Sequence, residues 1–294
     1  MCTIINFFYF VMLLALVLPA VSLFGSANNY ISILRHGSMA GCPCFRIPSL
    51  VATGPSSLVL LVEARWSSSE CYPVHRFAVD RAPNRAPSLA LVSSSDGGRS
   101  FDKNLTIIEA AKCGGTCNPH ATWSQNSKKL VVVFRGADGM STISTTDPFG
   151  HTGWSKPASL TPFVGPEWSK KSLPGPGAAL TVQLPGAMGG SERLLFCAHA
   201  GAYKQDVAFF SDDGGTTFNV SSSTPFNAPH NVLKGMDECS LAQLSNGSVV
   251  MVLRNFGGFP EHDPRGLHNP RCADKGICKA FSRSDDLGVT WSVA

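Results

Sequence analysis

Apolar positions in this chain come in short runs rich in Val and Leu, and the stretches between them are dominated by Gly, Ser and Asp. Ser57-Leu-Val-Leu-Leu-Val62, Lys129-Leu-Val-Val-Val-Phe134, Arg193-Leu-Leu-Phe-Cys197 and Ser248-Val-Val-Met-Val-Leu253 are the clearest. Runs of this length, bounded by turn residues, predict short β-strands. No long amphipathic helix is expected beyond the first two dozen residues. That first segment differs, being apolar from Ile4 to Phe24 apart from Asn6, Pro19 and Ser22. Val11 to Leu18 reads as a hydrophobic signal core and Ala20-Val21-Ser22 as a small-x-small cleavage site. Residues 1–24 are therefore expected to be a signal peptide, with an uncleaved signal anchor as the alternative and the only route to a membrane. Residues 30–294 are expected to form one all-β domain.

One short motif recurs between the strands. Ser94-Ser-Asp96-Gly-Gly98-Arg-Ser100-Phe101 returns as Ser211-Asp-Asp213-Gly-Gly215-Thr-Thr217-Phe218 and as Ser284-Asp-Asp286-Leu-Gly288-Val-Thr290-Trp291. A frayed fourth copy runs from Ser144 through Asp147, Gly150 and Thr152 to Trp154. The chemistry suits a tight turn: Asp accepts hydrogen bonds from the turn backbone, Gly supplies positive φ, and the aromatic starts the next strand. One such turn per strand group predicts a radial β-propeller. The motif resembles the Asp-box of sialidases. The resemblance implies a six-bladed β-propeller of sialidase type, with about four blades present and the structural carboxylates at Asp96, Asp213 and Asp286.

Composition narrows the class. Charged residues make up 15% of the chain and the net charge is +4 with no basic block, which disfavours nucleic acid as a partner. Nine cysteines beyond Cys2, among them the close pairs Cys113/Cys117 and Cys272/Cys278, fit an oxidising compartment, with disulfides stapling loops. Asn104, Asn219 and Asn246 each open an Asn-x-Ser/Thr tripeptide, consistent with passage through the secretory route.

Cys44-Phe45-Arg46-Ile47-Pro48 resembles the Phe/Tyr-Arg-Ile-Pro signature that opens the sialidase catalytic domain. The resemblance makes Arg46 the first of three arginines that grip the sialic acid carboxylate. An arginine suits that task because its planar fork pairs bidentately with a carboxylate and keeps its charge. Leu61-Val-Glu-Ala-Arg65 is similar to the family's Ala-Glu-x-Arg stretch and adds Arg65 as a substrate contact. The family's catalytic acid/base is usually an Asp about two dozen residues past the signature Arg; here Glu70 stands 24 residues after Arg46, and Asp80 is the nearest Asp. Either carboxyl can protonate a leaving oxygen and then activate water. Asn118, in Cys117-Asn118-Pro119, resembles the family's Asn-Pro step, and Gly175-Pro-Gly177 a Gly-Pro-Gly turn. His199 and Tyr203 follow a strand end at the height where, by the resemblance, relatives place side chains near the sugar.

The segment from Met236-Asp237-Glu238 to Arg254-Asn255 resembles the family stretch in which a Glu polarises a Tyr nucleophile and an Arg is the second clamp member. Glu238 and Arg254 then end neighbouring strands across one hairpin and point into one central cleft. Asp237 stands where relatives usually carry Asn. The loop from Phe256 to Lys279 holds His262, Asp263, His268, Cys272 and Cys278, for which a disulfide is simpler than a metal site.

The resemblance implies a retaining exo-α-sialidase acting on sialylated glycans, with no metal or organic cofactor. A neutral Tyr nucleophile avoids repelling an anionic sugar, and sialidases are known exceptions to the two-carboxylate scheme. The third arginine and the Tyr nucleophile have no counterpart among these residues, so the chain is expected to be a C-terminally shortened piece. A non-catalytic propeller that binds sialic acid or is purely structural, and a trans-sialidase, are the alternatives.

Overall fold

The computed structural model describes residues 33–34, 44–66, 86–186, 190–200, 205–222, 236–255 and 278–292, all within one compact unit running from Ile33 to Ala294. The fold is all-β. The leader, residues 1–24, lies outside the described residues. Among the described residues no helix is long and apolar enough to cross a membrane.

Strands β1 (Cys44–Ala52), β2 (Leu58–Arg65), β3 (Ser88–Ser94) and β4 (Thr106–Lys112) form an antiparallel sheet in chain order. The second sheet follows with β5 (His120–Ser124), β6 (Lys129–Gly136), β7 (Gly139–Thr145) and β8 (Ala158–Ser159). Two single-turn helices come next, α1 (Thr161–Val164) and α2 (Pro166–Ser169). After β9 (Ser172–Pro174), strand β10 (Gly177–Ala178) returns to pair in parallel with β5. The third sheet holds β11 (Leu180–Gln183), β12 (Glu192–Ala200), β13 (Gln205–Ser211) and β14 (Asn219–Val220), with β9 also on β12. The fourth holds β15 (Met236–Gln243), β16 (Val249–Asn255) and β17 (Cys278–Ser284).

All four apolar runs of the sequence become second strands, β2, β6, β12 and β16, each paired on both sides. In β6 and β12, which lie between two neighbouring sheets, the period of two divides the side chains between them. In β6, Leu130, Val132 and Phe134 pack with Leu61, Leu89 and Leu91 of the first sheet. Val131 and Val133 face the third sheet, against Leu194, Phe196 and Phe209. In β12, Leu195 and Cys197 turn the other way, toward Leu241, Met251 and Leu253 of the fourth. A strand covered on both faces has no polar side, so its sequence loses the alternation of a half-exposed strand.

The repeated turns all close the same kind of connection. The first residue of each turn pairs with the start of a second strand: Ser94 with Leu58, Ser211 with Leu194, Ser284 with Val249. Thr145 holds that place opposite Leu130, so the frayed copy is a real member of the series. In the first turn Ser94 Oγ donates to Asp96 Oδ1 at 2.8 Å while Gly98 N–H donates to Ser94 Oγ at 2.9 Å. The Ser100 amide and hydroxyl both donate to Asp96. Asp213 and Asp286 repeat the pattern with Thr217 and Thr290. Asp147 accepts instead from the amides of Phe149, His151 and Thr152.

These bonds need ionised carboxylates. The Ser100 hydroxyl and amide, with Ser94, hold Asp96 well below the usual carboxylate range. Partial burial raises Asp213 and Asp286, but bonds from Thr217 and Ser211, and from Thr290 and Ser284, outweigh it and leave both lowered.

Candidate functional site

Register separates the two ends of every sheet. The repeated turns and the β1–β2 and β15–β16 hairpins lie at one end; the start of β1, the end of β2, the start of β15 and the end of β16 lie at the other. Arg46, Glu238 and Arg254 all fall at this second end.

Two equivalent irregularities shape it. Arg46 pairs with Glu63 and Ser49 with Leu61, so Ile47 and Pro48 bulge opposite Val62. Met236 pairs with Asn255 and Cys239 with Leu253, so Asp237 and Glu238 bulge opposite Arg254. A bulge bends its strand and re-aims the side chains beside it. Ile47 takes φ +53°, costly for a β-branched residue and consistent with a constrained turn of the strand. Arg46 is exposed and makes no hydrogen bond or ion pair among the described residues. Arg254 Nη1 donates to Glu238 Oε2 at 2.9 Å, with both side chains about 30% exposed (30% and 29%).

A row of bonds ties these positions across the sheets. Glu63, the register partner of Arg46, is fully buried and reaches the start of the second sheet. Its Oε2 accepts from Cys117 N at 2.7 Å, Asn118 N at 3.2 Å and the Thr116 hydroxyl at 2.7 Å. Its Oε1 takes Arg65 Nε at 2.6 Å. The Cys113–Cys117 disulfide, one of the close pairs in the sequence, closes this loop. Asn118 is buried with φ +42°, a conformation Asn tolerates better than most side chains. Its Nδ2 donates to Pro174 O at 3.5 Å, in the third sheet. The next residue, Gly175, precedes a cis proline; its carbonyl accepts from Cys239 N at 3.1 Å, beside Glu238. Sheets one to four are thus joined from the Arg46 partner to the Glu238 neighbour.

His120 lies in this row. It is fully buried, and Cys197 N–H donates to its Nε2 at 3.3 Å, which puts the proton on Nδ1, bonded to Gly177 O at 2.9 Å. Burial pulls its pKa down to about 4, against a smaller upward pull from Gly177. A Cβ on Gly175 would lie 2.8 Å from His120 Nδ1, so only glycine fits there. A second disulfide, Cys197–Cys239, crosses from β12 to β15 one residue beyond Glu238.

The structure therefore brings Arg46, Arg65, Asn118, Glu238 and Arg254 to one end. Arg65 is there as the ion-pair partner of Glu63, with 15% of its side chain exposed. Asn118 is in the wall as a buried link between sheets. His199 is buried in β12 opposite Asp206. Glu70, Asp80, Tyr203 and the loop residues His262, Asp263, His268 and Cys272 lie outside the described residues, as do the side chains of Asp237 and Cys278. Sequence reasoning gave no role to Glu63, although a lone carboxylate inside an apolar strand is a signal in itself. It also missed His120 and the pairing of Cys197 with Cys239.

No family model matches the sequence, and no curated protein matches it by sequence. Solved structures do match in three dimensions. A Hadza microbial sialidase superposes with a TM-score of 0.57 at 18% identity, over 85% of this chain and 46% of its own. The NanB sialidase of Streptococcus pneumoniae gives 0.59 at 14%, over 90% and 53%. The intramolecular trans-sialidase of Ruminococcus gnavus, in complex with oseltamivir carboxylate, gives 0.60 at 13%, over 89% and 72%. The chain spans about half the length of the first two, 46% and 53%. In fold, this all-β chain is similar to these sialidases.

Proposed function

We propose that this chain supplies the carboxylate-gripping part of an exo-α-sialidase, a retaining glycoside hydrolase that removes terminal sialic acids from glycans. Its four sheets are consecutive blades of a six-bladed propeller, entered through the secretory route. The carrying observation is Arg46: an exposed guanidinium without a partner among the described residues, beside a bulge matched by that of Glu238 and Arg254. In this reading Arg46 and Arg254 share the sugar carboxylate through charge-assisted bonds. Glu238 draws the proton from a tyrosine nucleophile, the group that the resemblance calls for. Glu70 or Asp80 protonates the leaving oxygen and then activates water. Oxocarbenium character develops next to a carboxylate already neutralised by the arginines, so the clamp orients the sugar without opposing the positive charge.

Binding of free sialic acid to the 294-residue chain tests the clamp, read by saturation-transfer NMR with an uncharged hexose as control. One charge-assisted contact contributes about 1.5–3 kcal/mol, so Arg46→Ala should weaken binding by about 10- to 150-fold. A folded Arg46→Ala chain that binds as well as the parent sinks the proposal, as does a folded parent that ignores sialic acid.

A further inference from the structure

The three Asn-x-Ser/Thr tripeptides fall at places that share two properties. Asn104 sits between the first repeated turn and β4, Asn219 opens β14, and Asn246 is in the β15–β16 hairpin. All three are exposed. In each the side-chain Nδ2 donates no hydrogen bond among the described residues, in contrast to Asn118 and Asn126, whose Nδ2 atoms reach Pro174 O and Gly190 O. At Asn246 the arrangement is sharper. Oδ1 accepts from the Ser248 amide at 3.1 Å and the Ser248 hydroxyl at 2.7 Å, which leaves the amide nitrogen facing out.

Topology places all three at the end of the sheets that carries the repeated turns. That end is one continuous rim. Thr53 Oγ1 donates to Pro148 O at 2.6 Å between the first and second sheets. Gln125 N and Asn126 N donate to Glu192 between the second and third. Ser222 N donates to Val289 O between the third and fourth. Arg46, Glu238 and Arg254 occupy the opposite end. The Cys113–Cys117 and Cys197–Cys239 bonds supply a separate reason to put the chain in an oxidising lumen, where such asparagines meet glycosylation machinery.

We infer that Asn104, Asn219 and Asn246 are N-glycosylated and that their glycans stand on the turn rim, away from the end that holds Arg46, Glu238 and Arg254. The donor is a polyprenyl-diphosphate-linked oligosaccharide. The asparagine Nδ2 bonds to its anomeric carbon, the bond from that carbon to the diphosphate oxygen breaks, polyprenyl diphosphate leaves, and one Nδ2 proton goes to base. No oxidant or reductant takes part. At Asn219 the glycan has a further consequence. β14 is the last strand of its sheet among the described residues, and an unpaired strand edge invites pairing with another chain. A hydrated oligosaccharide on that edge blocks it.

The test is expression of the full chain with its own N-terminus in a eukaryotic secretory cell. Peptide mass mapping follows an amidase that converts each carrier asparagine to aspartate. The expected map shows all three sites, with one mobility step lost in each of Asn104→Gln, Asn219→Gln and Asn246→Gln. Sialic acid binding of the glycosylated chain and of the triple variant should agree within about twofold. Asn219→Gln alone should raise the aggregated fraction on size exclusion. A chain with the Cys197–Cys239 bond formed but bare asparagines overturns the inference, and so does a chain recovered reduced from the cytosol. Glycans that alter sialic acid binding overturn the placement. If neither form binds sialic acid, the clamp of the preceding subsection fails while the mass map still decides glycosylation.

Discussion

Acid should loosen this fold through one buried histidine, and the size of the effect can be worked from its surroundings. Folded His120 is neutral, with Nδ1–H on Gly177 O and Nε2 filled by the Cys197 amide. Protonating Nε2 would set two donors against each other inside a site with no access to water, and its folded pKa is about 4, down from 6.5. The sign follows from proton counts. Between these values the unfolded chain binds a proton that the folded chain does not, so stability falls as pH falls. Above the unfolded value His120 contributes nothing. Below it the loss is about 1.4 kcal/mol per pH unit, which comes to about 2 kcal/mol by pH 5 and about 3 kcal/mol once the folded pKa is reached. The lowered aspartates Asp96, Asp213 and Asp286 lose their stabilisation only near and below the normal carboxylate pKa, so among these four groups only His120 acts in the window from about pH 6.5 to 5. Urea unfolding followed by tryptophan fluorescence across that window measures it, with His120→Gln as the comparison. The variant should be less stable at neutral pH, from its lost fit, yet show a clearly flatter pH slope. A parent whose stability does not change from pH 7 to 5, or a variant with the same slope, refutes the reasoning.

Two further substitutions probe the joints between sheets. Glu63→Ala removes the Arg65 ion pair and leaves the Cys117 and Asn118 amides without their acceptor. The expected cost in urea is about 3–5 kcal/mol, and a cost below about 1 kcal/mol would mean the row from Glu63 to Asn118 holds little. Gly288→Ala forces a side chain onto φ +88° with its Cβ 2.5 Å from Leu195 Cδ1 of the third sheet. It should cost about 2–4 kcal/mol, against about 1 kcal/mol for Gly97→Ala, where φ is +72° and nothing lies within 4 Å. Equal costs at the two glycines would remove the contact between sheets from the account.

What the sequence made legible was whatever repeats or is local. The four apolar runs are strands because short apolar stretches bounded by turn residues suit a strand with a buried face, and all four are the second strand of their sheet in chain order. The turns are legible because Ser, Asp, Gly and Ser/Thr contact one another within a few residues. Even the frayed copy at Asp147 keeps its acceptor role after losing its neighbours' pattern. Glu63 escaped because its partners Cys117 and Asn118 stand more than 50 residues away. Cys197 and Cys239 are 42 apart, and nothing local marks them as a pair. Arg65 shows the opposite limit. A motif can carry a residue to the end that holds Arg46, yet Arg65 pairs there with Glu63, two positions back on the same strand.

The two ends of the sheets divide the work of the chain. At the turn end every joint is closed: glycines press on the neighbouring sheet, with Gly150 against Leu91, Gly215 against Val131 and Gly288 against Leu195. There the carboxylates spend their charge on their own turns, as Asp96, Asp213 and Asp286 do. At the other end the closed joints lie one layer down, in Glu63, Asn118, His120 and the Cys197–Cys239 bond. Above them the bulges at Ile47–Pro48 and Asp237–Glu238 interrupt the ladder. A ladder interrupted twice at the same place in sheets one and four costs hydrogen bonds that a purely structural sheet would keep. In the proposed function, that cost is what sets an exposed arginine beside one interruption and a paired Glu and Arg at the other.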